Sequence, residues 1–81
     1  MEKDILKIIV NDGTDPIQNA IVVIDGNSET TDSDGKVEFE LEYGDYSATI
    51  SSDGYTTKTE SLAFRSNHKN FTISLLANEG D

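Results

Sequence analysis

The chain contains no cysteine, which excludes disulfide cross-links, thiolate metal ligands and a thiol nucleophile. Tryptophan is also absent, and proline and histidine occur once each in 81 residues. One histidine cannot build a multi-histidine metal centre. Positive charge is scarce: six Lys and Arg stand against sixteen Asp and Glu, a formal net charge of −10. Such a chain is repelled by phosphate backbones and anionic bilayers, which argues against nucleic acid as a partner. Long apolar runs are missing too, so no membrane insertion is expected. The start, MEKDILKIIVND, places acids where a signal peptide would carry a basic segment, and Lys7 interrupts its apolar run.

What is present is alternation. The hydrophobic share is only 35%, yet Val, Ile, Leu and Phe fall in short ordered clusters, which disordered chains lack. The length allows one core, so residues 1–81 read as one domain, ordered over about 5–77 and frayed over 78–81. LKIIVN alternates Leu6, Ile8 and Val10, and Asn11, Asp12 and Gly13 close it. Pro16 marks residues 14 to 19 as a connection, with Ile17 against the core edge, before a strand over 20 to 25. A short strand near Ser28 to Thr31 leads to the turn Asp32 to Gly35. KVEFELE then points Val37, Phe39 and Leu41 one way and Glu38, Glu40 and Glu42 the other. YSATIS, Tyr55 to Leu62 and NFTISLL complete the set, with turns at Tyr43 to Asp45 and at Asp53 and Gly54. No window carries an amphipathic helical stripe. The fold class is all-β, a sandwich of about seven antiparallel strands, immunoglobulin-like or prealbumin-like.

The succession DPIQNAIVVIDG, TDSDGKVEFEL and YGDYSATISSDGY resembles the carboxypeptidase regulatory-like domain, a transthyretin-like sandwich, best over residues 5 to 62. Similar patterns occur in collagen-adhesin B-type repeats and in bacteriophage structural proteins. The marks have packing reasons: a small Ala20 between sheets, Gly35 and Gly44 for tight turns, and Tyr46 and Tyr55 as rings whose hydroxyls need partners. The resemblance implies a non-catalytic structural or adhesion module, either a virion accessory domain or a spacer on a bacterial cell surface. Its implied partner is a neighbouring domain, another protein or a second copy; its alternative is a carbohydrate- or calcium-binding module using Tyr43, Tyr46, Tyr55 and the acidic turn. Adhesin repeats also carry an amide bond between a first-strand lysine and a last-strand Asn or Asp, promoted by a buried carboxylate. Lys7 and Asn70 fall on those strands, but the helper position holds Ile50 and Lys7 is out of phase with the core, so no bond is expected.

The turn TDSDG has the look of a calcium loop. With Gly35 at the sixth position of an EF-hand, Asp32 and Asp34 fit positions three and five, but Thr30 and Leu41 stand where position one and the bidentate glutamate belong. Asp32 and Asp34 are thus candidates for a loose metal contact only, and no cofactor is expected. Glu38, Glu40 and Glu42 form an acidic ladder open to neutralisation by Lys36 or Lys58. Arg65, His68 and Lys69 make the one locally basic stretch, a candidate contact for an anionic partner at a loop tip. No nucleophile-elbow pattern accompanies His68, so no enzyme is expected. The glycosylation triplet Asn70, Phe71, Thr72 falls inside an expected strand. Finally, Ile5, Ile9, Ile21 and Val23 lie on the faces opposite the core positions and are candidate interface residues, unless the chain termini or the 12–19 connection cover them.

Overall fold

A computed structural model describes residues 3–77. The frayed segment expected over 78–81 lies outside the described residues. Seven strands follow in order: β1 Lys3–Asn11, β2 Ile21–Ile24, β3 Asn27–Thr30, β4 Lys36–Glu42, β5 Gly44–Ser51, β6 Lys58–Phe64 and β7 Asn70–Ser74. They build two sheets, β4-β1-β7 and β3-β2-β5-β6. The chain is an all-β, immunoglobulin-like sandwich, and its extents are 47 × 20 × 18 Å.

Alternation decides what each strand buries. Leu6, Ile8 and Val10 of β1 are wholly buried, as are Val22 and Ile24 of β2 and Ala48 and Ile50 of β5. Val37, Phe39 and Leu41 of β4 and Ile73 of β7 lie beside the β1 residues on the same inner face, and Leu75 just beyond β7 is buried with them. Phe71 and the rings of Tyr46 and Tyr55 pack partly buried against this core. The positions between these residues form the two outer faces. On the first sheet the outer face runs through Lys3, Ile5, Lys7 and Ile9, with Glu42, Glu40, Glu38 and Lys36 opposite them on β4. On the second it runs through Ile21 and Val23, then Ser47, Thr49 and Ser51 of β5, then Thr59, Ser61 and Ala63 of β6.

Four of the five ladders are antiparallel, but β1 and β7 run parallel, with Lys7 beside Asn70 and Asn11 beside Ser74. β1 also reaches further toward its start than the core alternation predicts, because Lys3 to Ile5 still pair with Glu42 to Glu40. β6 is displaced from the expected Tyr55 to Leu62. Tyr55 bridges Ala77, and the Thr56 N–H donates to the Leu76 carbonyl at 2.8 Å, so this stretch is held at the sandwich end and pairing with β5 begins only at Lys58. β2 and β3 join through Asp25 and Gly26, both at positive φ (52° and 82°), the conformation of a tight type I′ hairpin.

The connection between β1 and β2 is tied down by Thr31, a wholly enclosed polar side chain. Its hydroxyl donates to the Ile17 carbonyl at 2.6 Å and accepts from the Ala20 N–H at 2.8 Å. Both groups would otherwise be buried without partners.

Candidate functional site

At the turn between β3 and β4, Asp32 Oδ1 accepts the N–H groups of Asp34 (2.9 Å) and Lys36 (3.0 Å). The Gly35 N–H donates to the Asp32 carbonyl at 2.8 Å. The Lys36 and then the Asp34 amide hold the Asp32 carboxyl below its ordinary range. One oxygen of this candidate metal contact is thus already turned toward its own backbone, the Asx geometry of a plain turn. Among the described residues, no three His, Asp or Glu side chains converge on a point that would hold a metal.

Asp12 repeats the device beyond β1. Its Oδ1 accepts from Thr14 N–H (2.9 Å) and Asp15 N–H (2.7 Å), and the Tyr55 hydroxyl reaches its Oδ2 at 3.3 Å. The Asp15 and Thr14 amides, more than the phenol, lower the Asp12 carboxyl. Burial first, and then the Asp12 charge, push the Tyr55 phenol up.

The basic stretch lies at the opposite pole, where Arg65 and His68 bridge across a two-residue corner between β6 and β7. The structure brings Arg65, His68 and Lys69 together there, and engages two of the three within the chain. Arg65 Nη2 donates to Asp45 Oδ1 at 2.9 Å, and Lys69 Nζ to Asp4 Oδ2 at 2.8 Å. The Tyr43 hydroxyl donates to the same Asp4 oxygen at 2.6 Å, and Ile5 N–H to the other at 2.8 Å. Lys69 first, then Tyr43, holds the Asp4 carboxyl far below the usual carboxylate range, and Asp4 in turn raises Lys69. His68 is exposed and lies against Phe71, ring centroids 4.5 Å apart. Sequence reading missed Asp4 and Asp45 because each is separated from its partner by twenty residues or more.

The tyrosines named as ligand contacts are used inside the chain as well. The Tyr46 hydroxyl donates to the Glu42 carbonyl at 2.6 Å, and the Tyr43 ring lies 5.0 Å from Phe64. The acidic ladder faces Lys3 and Lys7 rather than Lys58. Lys58 belongs to the other sheet, where it contacts Glu60 at 3.0 Å.

Lys7 and Asn70 are direct neighbours across the parallel ladder, on the solvent side of the sheet. Glu38 stands on the same row, 4.0 Å from Lys7 Nζ, a carboxylate that the sequence placed in the acidic ladder but not beside Lys7. The Lys7 and Glu38 side chains are each 47% exposed, so water keeps both hydrated. Ile50, at the helper position, is wholly buried.

The four apolar interface candidates do not make one patch. Ile5 and Ile9 are on the outer face of the first sheet and Ile21 and Val23 on that of the second, so the core separates the pairs. Strand alternation identified exposed faces but could not say that β1 and β2 belong to different sheets. A groove of about 740 Å³ lies between the 16–19 connection and the β5–β6 corner. Pro16, Ile17 and Ile21 line it beside hydroxyls, amides, Asp53 and Tyr55, and His68 lies at the other pole, so no histidine base meets a hydroxyl there.

No protein-family model matches the chain, and no curated protein sequence is detectably similar to it. Among solved structures, its fold is similar to that of BcpA, the major pilin subunit of Bacillus cereus, with a TM-score of 0.68 and 15% identity. The match covers 93% of this chain and 30% of the pilin chain, so the present sequence spans about a third of that protein's length. At this identity the likeness concerns the fold.

Proposed function

We propose that the chain is a non-catalytic spacer module that holds neighbouring domains apart, as in a bacterial surface protein; a virion accessory domain would use the same geometry. The observation that carries the reading is the path of the backbone. β1 starts at Lys3 at one pole and ends at Asn11 at the other, about 27 Å away at the usual strand rise. β7 runs beside it in the same direction, and Ala77 lies at the pole where β1 ends. The described chain therefore begins and ends at opposite ends of the β1–β7 ladder. Tension between those points loads the β1–β7 ladder along its length, so its hydrogen bonds resist together rather than one at a time. The fold likeness to part of a pilin subunit supports the same reading.

Single-molecule pulling tests it. Drawn through handles beyond residues 3 and 77, the domain is expected to unfold at a markedly higher force than when drawn through Lys3 and Glu42. Those two residues are antiparallel neighbours whose separation unzips the β1–β4 ladder. Equal forces in the two geometries would refute a load-bearing role.

A further inference from the structure

Aspartate followed by glycine occurs four times in the chain, at Asp12, Asp25, Asp34 and Asp53. The pair can rearrange with no reagent but water. Glycine has no side chain to hinder its amide nitrogen, which attacks the carboxyl carbon of the preceding aspartate and closes a five-membered imide. The new bond joins that nitrogen to Cγ, and the amide proton leaves with the carboxyl hydroxyl as water. A second water reopens the ring at either carbonyl. Opening at the main-chain carbonyl leaves the backbone running through the side-chain carboxyl, as isoaspartate of unchanged mass. Closure needs a carboxyl free to turn and a glycine N–H that is not already donating.

The fold holds the four sites differently. Around Asp12, successive N–H groups are all engaged: Asp12 donates to the Asp15 carbonyl at 3.0 Å, Gly13 to Asn11 Oδ1 at 3.0 Å, and Thr14 and Asp15 to Asp12 Oδ1. The Asp15 and Thr14 amides also favour the ionised Asp12 carboxyl, which lacks the proton that must leave with the oxygen. Around Asp34, the N–H groups of Asp34, Gly35 and Lys36 all donate to Asp32, that of Gly35 at 2.8 Å. Gly35 is buried, and its carbonyl accepts the Val10 N–H at 2.7 Å. Asp25 and Asp53 have no such restraint. Among the described residues, no hydrogen bond reaches either carboxyl, and neither the Gly26 nor the Gly54 N–H donates one. Both pairs are exposed, with open space around the glycines. The Tyr55 N–H donates to the Ser52 carbonyl at 3.1 Å, a bond that spans Asp53 and Gly54 without engaging them. Exposure does not sort the four sites, since Asp12, Gly13 and Asp34 are exposed too. The engaged amides do.

We infer that Asp25 and Asp53 are sites of isoaspartate formation in the folded chain, and that the turns at Asp12 and Asp34 are protected by their own hydrogen bonds. Several bonds must open before a protected pair can close its ring, which slows it about tenfold relative to an open pair. The two open sites differ in consequence. Isoaspartate adds a methylene to the backbone, and the two-residue loop between Ile24 and Asn27 cannot take it without loosening the edge strand β3. At Asp53 it lengthens a corner that lies between β5 and β6. Neither residue belongs to the β1–β7 ladder, so this inference and the load-bearing reading can fail separately. The test is to hold the whole chain for weeks at physiological temperature in mildly acidic buffer, folded and in concentrated guanidinium chloride, and to locate isoaspartate by electron-transfer fragmentation. The folded chain is expected to carry it at Asp25 and Asp53, about tenfold above Asp12 and Asp34, at unchanged intact mass. The denatured chain should carry it at all four at similar rates. Equal modification of the four sites in the folded chain, an excess at Asp12 or Asp34, its absence from either Asp25 or Asp53, or the same bias in the denatured chain would overturn the inference.

Discussion

At Gly35 the backbone needs both a positive φ, 75°, and the absence of a side chain. A Cβ there would meet the Val10 carbonyl oxygen inside contact distance and Pro16 Cβ at 3.0 Å. The same Val10 carbonyl accepts the Ile17 N–H, so it cannot move without loosening the connection. Gly26 also has positive φ, 82°, but open space around it. Gly26→Ala is therefore expected to cost about 1 kcal/mol, the conformational term alone. Gly35→Ala adds the clash and should cost about 3 kcal/mol or more. Urea midpoints of the two variants check the difference. Asp4 gives a prediction in pH. Its carboxyl titrates lower in the folded chain than the usual unfolded value near 3.9, so its stabilising effect is complete above that pH and lost as pH falls through the folded value. The stability gap between the parent and Asp4→Ala should be constant from about pH 5 to 8 and close progressively below about pH 4 in thermal melts.

At the scale of elements, KVEFELE was fully legible, because seven alternating residues between two turns admit only one phase. β6 was not, since its threonines fit either a strand or a corner, and contacts of Tyr55 and Thr56 with the end of the chain decided between them. The candidate site was legible only locally. Asp32 could be read as a turn residue from its neighbours, but the Asp4, Tyr43 and Lys69 cluster joins three distant segments. The β1–β7 ladder bears on the amide bond known from adhesin repeats. It places Lys7 against Asn70, with Glu38 on the same row, which is the correct order of groups in the wrong environment. A hydrated ammonium is a poor nucleophile, and amide formation needs it deprotonated beside a carboxyl able to pass a proton. Intact-mass measurement of the purified chain should therefore give the full sequence mass, without loss of one ammonia; a loss abolished in Lys7→Ala would show the bond after all.

For the whole molecule, net charge outweighs the visible ion pairs. Lys58–Glu60, Arg65–Asp45 and Lys7–Glu38 are all partly open to water, and such pairs contribute about 0–1 kcal/mol each. Self-repulsion of a −10 chain acts on the whole compact state. Raising salt is therefore expected to raise the melting temperature; a fall would mean that the ion pairs dominate.

The sequence by itself determined most of the strands and turns and the identity of the core, because side-chain direction alternates along a strand and water sorts apolar from polar positions locally. The tertiary structure alone decided that β1 and β7 run parallel, that Arg65 and Lys69 are paired within the chain, and that the exposed aliphatic residues divide between the two outer faces. Those outcomes depend on which strands become neighbours, a choice made by the packing of the whole core and carried by no single stretch of residues.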